Sequence, residues 1–337
     1  YGIIAENPGL QYVNWGKAGD IGLSLLFSPL IGFSLAIILM FVLKQMIKNK
    51  AIFKEPKSNR PPPLWIRTIS VLTCTGISFS HGSNDGQKGV GLIMLIMVAI
   101  VPTHFAINHA TDLNAYKNSI NEIQAIYRTV EADKLSKADF IEFNTINSLV
   151  TDVENKIANC NSLMEISDTA QLGLRQDIIL ISKANKKLVE SDDFPLSTRE
   201  KKLLKEHMTT LKSLIEYAPF WVVGLIALAL GTGTMIGWKR IVRTIGEKIG
   251  KQHLTYAQGM SSELVAATTI SLSTMVGLPV STTQVLSSGV AGSMVASKGI
   301  KNLRGKTVKT IFIAWLLTFP VTVVLSGGLF LLFRAIF

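Results

Sequence analysis

Ser80-His81-Gly82-Ser83-Asn84-Asp85-Gly86-Gln87-Lys88-Gly89 stands between two apolar runs, Trp65 to Phe79 before it and Val90 to Val101 after it. An imidazole, a carboxamide, a carboxylate and an ammonium among glycines are ordinary in an exposed loop. Here the flanks place them at the depth of a membrane span, where an ionisable group is costly and marks function. Backbone that leaves the helix at that depth persists only where it lines a cavity or is buried in protein. The pattern therefore predicts a broken membrane helix with a functional site at the break.

Composition supports a membrane setting. The chain has 337 residues, of which 48% are hydrophobic and 17% charged, whereas a soluble domain carries nearer a quarter charged residues. The charge is also segregated. Residues 108–218 hold 14 basic and 17 acidic side chains, a net of −3, and the rest holds 20 and 6, a net of +14. The excess positive charge clusters in short loops beside apolar stretches, at Lys44 to Arg67, Lys239 to Lys251 and Lys298 to Lys309. That is the asymmetry of a polytopic membrane protein with these loops on the cytoplasmic side. It is not a basic stripe interleaved with aromatics, so nucleic-acid binding is excluded as the reading. Cys74 lies in an apolar stretch and Cys160 in the polar middle, which argues against a disulfide between them.

The apolar stretches are Ile21 to Leu43, Leu64 to Ile107, Pro219 to Trp238, Met260 to Val295 and Ile311 to Phe333. About twenty apolar residues cross a bilayer as a helix. The second stretch exceeds one span and is interrupted by the decapeptide. The fourth is interrupted by Gly277-Leu278-Pro279 and must return to its starting side, as a re-entrant hairpin or two short crossings. Three parts follow: membrane segments over 1–107, a soluble and extracytoplasmic insert over 108–218, and membrane segments over 219–337. Apolar residues in the insert recur at helical spacing: Ile120, Ile123, Tyr127, Val130; Phe140, Phe143, Ile146, Val150, Val153, Ile157; Leu203, Leu204, Met208, Leu211, Ile215. This predicts a small helical bundle. His207 and the charge runs there read as a solvated helix face.

Outside the insert the acids are Glu6, Asp20, Glu55, Asp85, Glu247 and Glu263. Only Asp85 and Glu263 fall inside the interrupted stretches, where each needs a cavity, a cation or a partner. The plainer alternatives are an ion pair of Asp85 with Lys88, three residues on, and an interfacial helix end for Glu263. The second cluster is Pro279-Val280-Ser281-Thr282-Thr283-Gln284. Pro279 stops a helix, and Ser281 suits the cap of a new one running to Ala296. A helix N-terminus with free N–H groups and hydroxyl donors favours a tetrahedral oxyanion. Back-bonding to their own helix would by itself account for Thr268, Thr269, Ser271, Ser273 and Thr274. Half-helix ends meeting near the bilayer midplane are how secondary transporters build a substrate site. On this reading the hairpin end takes the anion, and Asp85 and Glu263 take a cation or proton. A membrane-embedded phosphate-ester enzyme would need Ser80 or Ser83 activated by His81. A receptor centred on the insert has no ligand signature to support it.

The same residues resemble the inorganic phosphate transporter family. Ser83-Asn84-Asp85 within Gly82 to Gln87 is similar to its Gly-Ala-Asn-Asp signature, and Pro279 to Gln284 to its Pro-x-Ser-Thr-Thr-His block. Glu263 matches the acid preceding that block. The form Ser80 to Gly89 is most similar to the bacterial low-affinity carriers.

The resemblance implies an all-α fold of discontinuous helices built from inverted repeats, and multi-pass residence in a bacterial inner membrane. It also implies phosphate symport coupled to H+ rather than Na+, with phosphate moving largely as a metal–phosphate complex and no resident cofactor. It assigns Asn84, Ser281, Thr282 and Thr283 to phosphate, and Asp85, Glu263 and Gln284 to the coupling cation or proton. His81 and Lys88 become gate or relay groups. Metal ligands stay unassigned, and a homodimer is a further expectation. A sulfate permease of the same fold is the nearest alternative. Gln284 stands where the family has His, which puts a proton role there in question. Family members carry each signature twice, and this chain carries one copy. It begins where a first repeat would end, so the N-terminal half is expected to be missing and the chain by itself is not expected to transport.

Overall fold

A computed structural model describes residues 15–56, 61–278 and 280–336. Pro279 and Glu6 lie outside them. Among the described residues there are no strands, and ten helices of at least 16 residues carry the fold. They are α1 (Trp15–Met46), α2 (Leu64–Ile100), α3 (Leu113–Arg128), α4 (Lys137–Ile157), α5 (Asp168–Glu190), α6 (Thr198–Ser213), α7 (Phe220–Arg243), α8 (Tyr256–Val276), α9 (Thr282–Lys298) and α10 (Gly305–Ile336). Ile21–Met46, Phe220–Lys239 and Gly305–Leu329 are long and apolar enough to cross a bilayer. They carry exposed Leu26, Phe27, Leu30, Leu225, Leu228, Ile236, Leu316 and Val324, side chains that need an apolar solvent.

The chain divides into two units, one of residues 1–88 with 225–337 and one of residues 89–224. The second is wider at both ends than the insert read from the sequence. Its core is one apolar cluster that includes Ile120, Ile123, Tyr127, Ile146, Val153, Ile178, Leu204 and Leu211. Side chains that mark helix starts do so here: Asp112 accepts from the Asn114 N–H, Ser136 from Asp139, and Ser197 forms a reciprocal capping box with Glu200. Each such cap contributes about 1 kcal/mol. Phe140, expected on the buried face, is instead 43% exposed. It sits in the first turn of α4, and the buried stripe begins at Phe143. His207 is half-buried, its Nδ1 lying 3.4 Å from Ser119 Oγ, rather than on a fully solvated face.

Two features of this unit have measurable consequences. Arg175 Nη1 donates to the carbonyls of Ala106 at 3.1 Å and Ile215 at 2.8 Å, and Asn108 N donates to Leu214 O at 2.7 Å. The strands of chain entering and leaving the bundle are thus tied together at one point. Removing the guanidinium leaves two buried carbonyls without a partner. Arg175→Ala should destabilise the bundle by about 2 kcal/mol, read as a lower thermal midpoint of the full-length protein in detergent.

Burial pushes the phenols of Tyr116 and Tyr127 above their ordinary value of 10.0, with nearby Asp177 adding to the shift at Tyr116. A raised folded-state value means the fold binds the proton more tightly than the unfolded chain does. The stability this confers is intact below the unfolded value and is lost as pH rises above it. Circular dichroism and tyrosinate absorbance should therefore stay native to about pH 10 and then fall and rise together.

In the first unit, α1, α8 and α9 pack tightly. Gly32 of α1 meets Val285 and Ser288 of α9, and Gly292 of α9 meets the Phe33 backbone. This is the small-residue contact by which membrane helices approach closely. α8 and α9 form an antiparallel hairpin, with Ser262 Oγ donating to Ser293 Oγ at 3.2 Å. Gly277 ends α8 in the left-handed region at φ 72, where only glycine is unstrained. Leu278 N then donates to Ser273 O at 2.9 Å. The break expected here is present.

The break expected at Ser80–Gly89 is absent: α2 runs unbroken through it for 37 residues. No proline interrupts the segment, glycine only weakens a helix, and its polar side chains find partners compatible with the helix: Ser80 on the Gly76 carbonyl and Ser271, Asn84 on Thr274, and Asp85 on His81 and Lys88.

Candidate functional site

Because α2 is continuous, Thr73, Ser80, Asn84 and Lys88 fall on one stripe, at intervals of seven, four and four residues. They meet α8, which runs parallel beside them, and the turn that follows it. Thr73 Oγ1 donates to Glu263 Oε2 at 2.6 Å, and the Ser80 and Ser271 hydroxyls lie 2.9 Å apart. Asn84 Nδ2 donates to Thr274 Oγ1 at 2.9 Å, and Lys88 Nζ to the Val280 carbonyl at 3.2 Å. Between these polar rungs Ile77 packs with Ala266, Ile270, Val280 and Val285. The seam therefore alternates polar rungs with apolar fill, which satisfies each hydroxyl while keeping the helices in register.

At the hairpin end of the seam, both oxygens of Asp85 are occupied. His81 Nε2 lies 2.8 Å from Oδ2 and Lys88 Nζ 3.1 Å from Oδ1. The ion pair with Lys88, weighed as the plainer alternative, is present, and His81 adds a second donor one turn away. Lys88 also reaches Val280, the residue before the α9 cap, where Ser281 Oγ accepts from Gln284 N at 3.4 Å. Thr282 is buried and Thr283 exposed. Asn84 Oδ1 and Gln284 Oε1 are buried without a hydrogen-bond partner. A buried acceptor without a donor is costly, so each calls for a partner.

Asn84, Asp85 and Lys88 thus gather near the end of α8, Asn84 on Thr274 and Lys88 on both Asp85 and the Val280 carbonyl. Glu263 does not. It lies thirteen residues before the end of α8, about 20 Å along the helix axis, and its partner Thr73 is about as far from Asp85 along α2. The two acids cannot share one ion. Thr73 and Ser80 stand outside the expected site residues, and Ser271 and Thr274, expected to bond back to their own helix, are bonded across to α2. Back-bonding does occur at Thr268 and Thr274, to Leu264 O and Ile270 O at 2.9 and 2.8 Å, but Thr274 also accepts from Asn84. The polar stripe on α2 was the available signal, hidden by the assumption of a break.

The activated-serine arrangement is contradicted. Ser80 Oγ bonds the Gly76 carbonyl at 3.0 Å and Ser271, and His81 is engaged by Asp85. Consecutive helical residues also point about 100° apart. Among the described residues no group of His, Cys, Asp and Glu could hold a metal ion.

Three helices fit to cross a bilayer, together with a polar seam between α2 and α8 that ends at a capped hairpin, define a helical membrane protein. The chain belongs to the phosphate transporter family, whose model matches residues 1–326. It is 38% identical to the low-affinity inorganic phosphate transporter PitA of Escherichia coli (strain K12), over 94% of this chain and 69% of that protein. It is 38% identical to PitB of the same organism, over 97% and 71%. The low-affinity inorganic phosphate transporter of Buchnera aphidicola subsp. Acyrthosiphon pisum gives the same identity over 97% and 71%. The family and these relatives are transporters, not enzymes. No solved structure matches the chain.

Proposed function

We propose that the protein carries inorganic phosphate across a bacterial inner membrane as a multi-pass symporter, with H+ favoured over Na+ as the coupling ion. The observation that carries this reading is Lys88, whose Nζ binds Asp85 and touches the Val280 carbonyl just before the capped start of α9, with Asn84 bonded to Thr274 in the last turn of α8. Phosphate is held by Ser281, Thr282 and Thr283 with the free N–H groups of α9. Asn84 contributes its unpaired Oδ1, an acceptor suited to the O–H of protonated phosphate or to a cation beside it. Asp85 and Glu263 are separate stations for the coupling ion, and Gln284 offers an unpaired acceptor in the first turn of α9. His81 and Lys88 gate the Asp85 station, because an incoming ion must displace one of them.

Protonated phosphate offers O–H donors that sulfate lacks, and this separates the substrates. A site with unpaired acceptors rejects the analogue that cannot fill them. Equilibrium binding of labelled phosphate to the purified full-length protein should survive an excess of sulfate and weaken on Asn84→Ala. Displacement by equimolar sulfate would move the assignment to a sulfate permease.

A further inference from the structure

We infer that Thr73 is the positioning residue of Glu263: its hydroxyl holds the carboxyl group against α2 in both protonation states. This deepens the symport reading and rests on it for the part Glu263 plays. Glu263 is half-buried on α8, and the Thr73 hydroxyl at 2.6 Å is its hydrogen-bond partner. Among the described residues no charged group of a packed helix lies within ion-pair distance of it. On α1, Lys44 donates to the Ala296 carbonyl. On α2, Arg67 is exposed, Cys74 is a free thiol facing outward, and His81, Asp85 and Lys88 bind one another. On α9, Lys298 pairs with Glu55.

A hydroxyl differs from a cation here because it both donates and accepts. Thr73 Oγ1 also lies 3.2 Å from the Ser70 carbonyl, so its one proton has two acceptors. With Glu263 ionised, Thr73 donates to Oε2. When a proton arrives on Glu263, the carboxyl O–H donates to Thr73 Oγ1, and the threonine proton turns to Ser70 O. Thr73 gains and loses no proton, and the link between α2 and α8 survives. A lysine or arginine at this place would lock the ionised state; a valine would hydrogen-bond neither state.

The test uses the full-length protein in proteoliposomes and compares wild type, Thr73→Val, Thr73→Ser and Glu263→Gln. Initial phosphate uptake is followed across a pH series, and the protonated carboxyl stretch of Glu263 by infrared difference spectroscopy. Thr73→Val should slow uptake about tenfold, the value of one charge-assisted hydrogen bond, and displace the pH profile. It should also move the carboxyl band, identified by its loss in Glu263→Gln, to higher frequency. Thr73→Ser should restore rate, profile and band. An unmoved band together with an unchanged profile in Thr73→Val overturns the inference. Gradient-driven uptake at the normal rate in Glu263→Gln would instead remove Glu263 from coupling, leaving the infrared result to decide the contact alone.

Discussion

Asp85→Asn should abolish gradient-driven phosphate uptake while the protein still folds and inserts. Asn matches Asp in shape, so packing along α2 is preserved, but it loses the charge that His81 at 2.8 Å and Lys88 at 3.1 Å both address. One of its terminal atoms also becomes a donor, facing a donor. Each charge-assisted hydrogen bond is worth about 1.5–3 kcal/mol, so losing the pair at the coupling step corresponds to a fall of about 100-fold or more in initial rate. The comparison is made at matched protein density in proteoliposomes under an imposed pH gradient. Uptake at the wild-type rate would reduce Asp85 to a structural ion pair.

The largest effect on stability should come from Gly292→Ala. A Cβ there would lie 2.3 Å from the Phe33 carbonyl oxygen and 3.0 Å from its carbon. These are backbone atoms of α1, so no side chain can swing aside, and the helices must separate. Such overpacking costs about 1–3 kcal/mol, and loss of the close α1–α9 contact adds the dispersion energy of the surfaces parted. Gly231→Ala in α7 is the control. Nothing lies within 4 Å of its Cβ position, and alanine is the better helix former by about 0.5–1 kcal/mol. Thermal unfolding in detergent should show the first variant well below wild type and the second at or above it. Equal midpoints would contradict the tight α1–α9 packing.

The helical character and the α8–α9 break were legible because their signals are local. Gly277 takes the left-handed conformation that a C-cap requires, and Ser281 supplies the side chain that opens α9. The buried stripe of α4, from Phe143 to Ile157, is likewise written in its spacing.

The continuity of α2 was not legible. Gly82, Ser83, Asn84, Asp85 and Gly86 all read as breakers when judged by neighbours in sequence. The groups that satisfy Ser80 and Asn84 belong to α8, 191 and 190 positions away. Glu263 shows the complementary limit. Its place inside an apolar stretch announced a functional acid, but its separation from Asp85 depends on how two helices are paired in register, which no local pattern encodes. Phe140 was misplaced for a smaller reason: the helical period continues past the point where a partner helix exists to cover it.

On the proposed function phosphate and a coupling cation cross together. The most direct measurement places the full-length protein in liposomes that enclose a pH-sensitive dye, and follows labelled phosphate and internal pH in one time course. Phosphate accumulation driven by an inward proton gradient, with acidification that stops when phosphate is omitted, is the predicted result. Phosphate entry that ignores both proton and sodium gradients, or no entry at all, would contradict it.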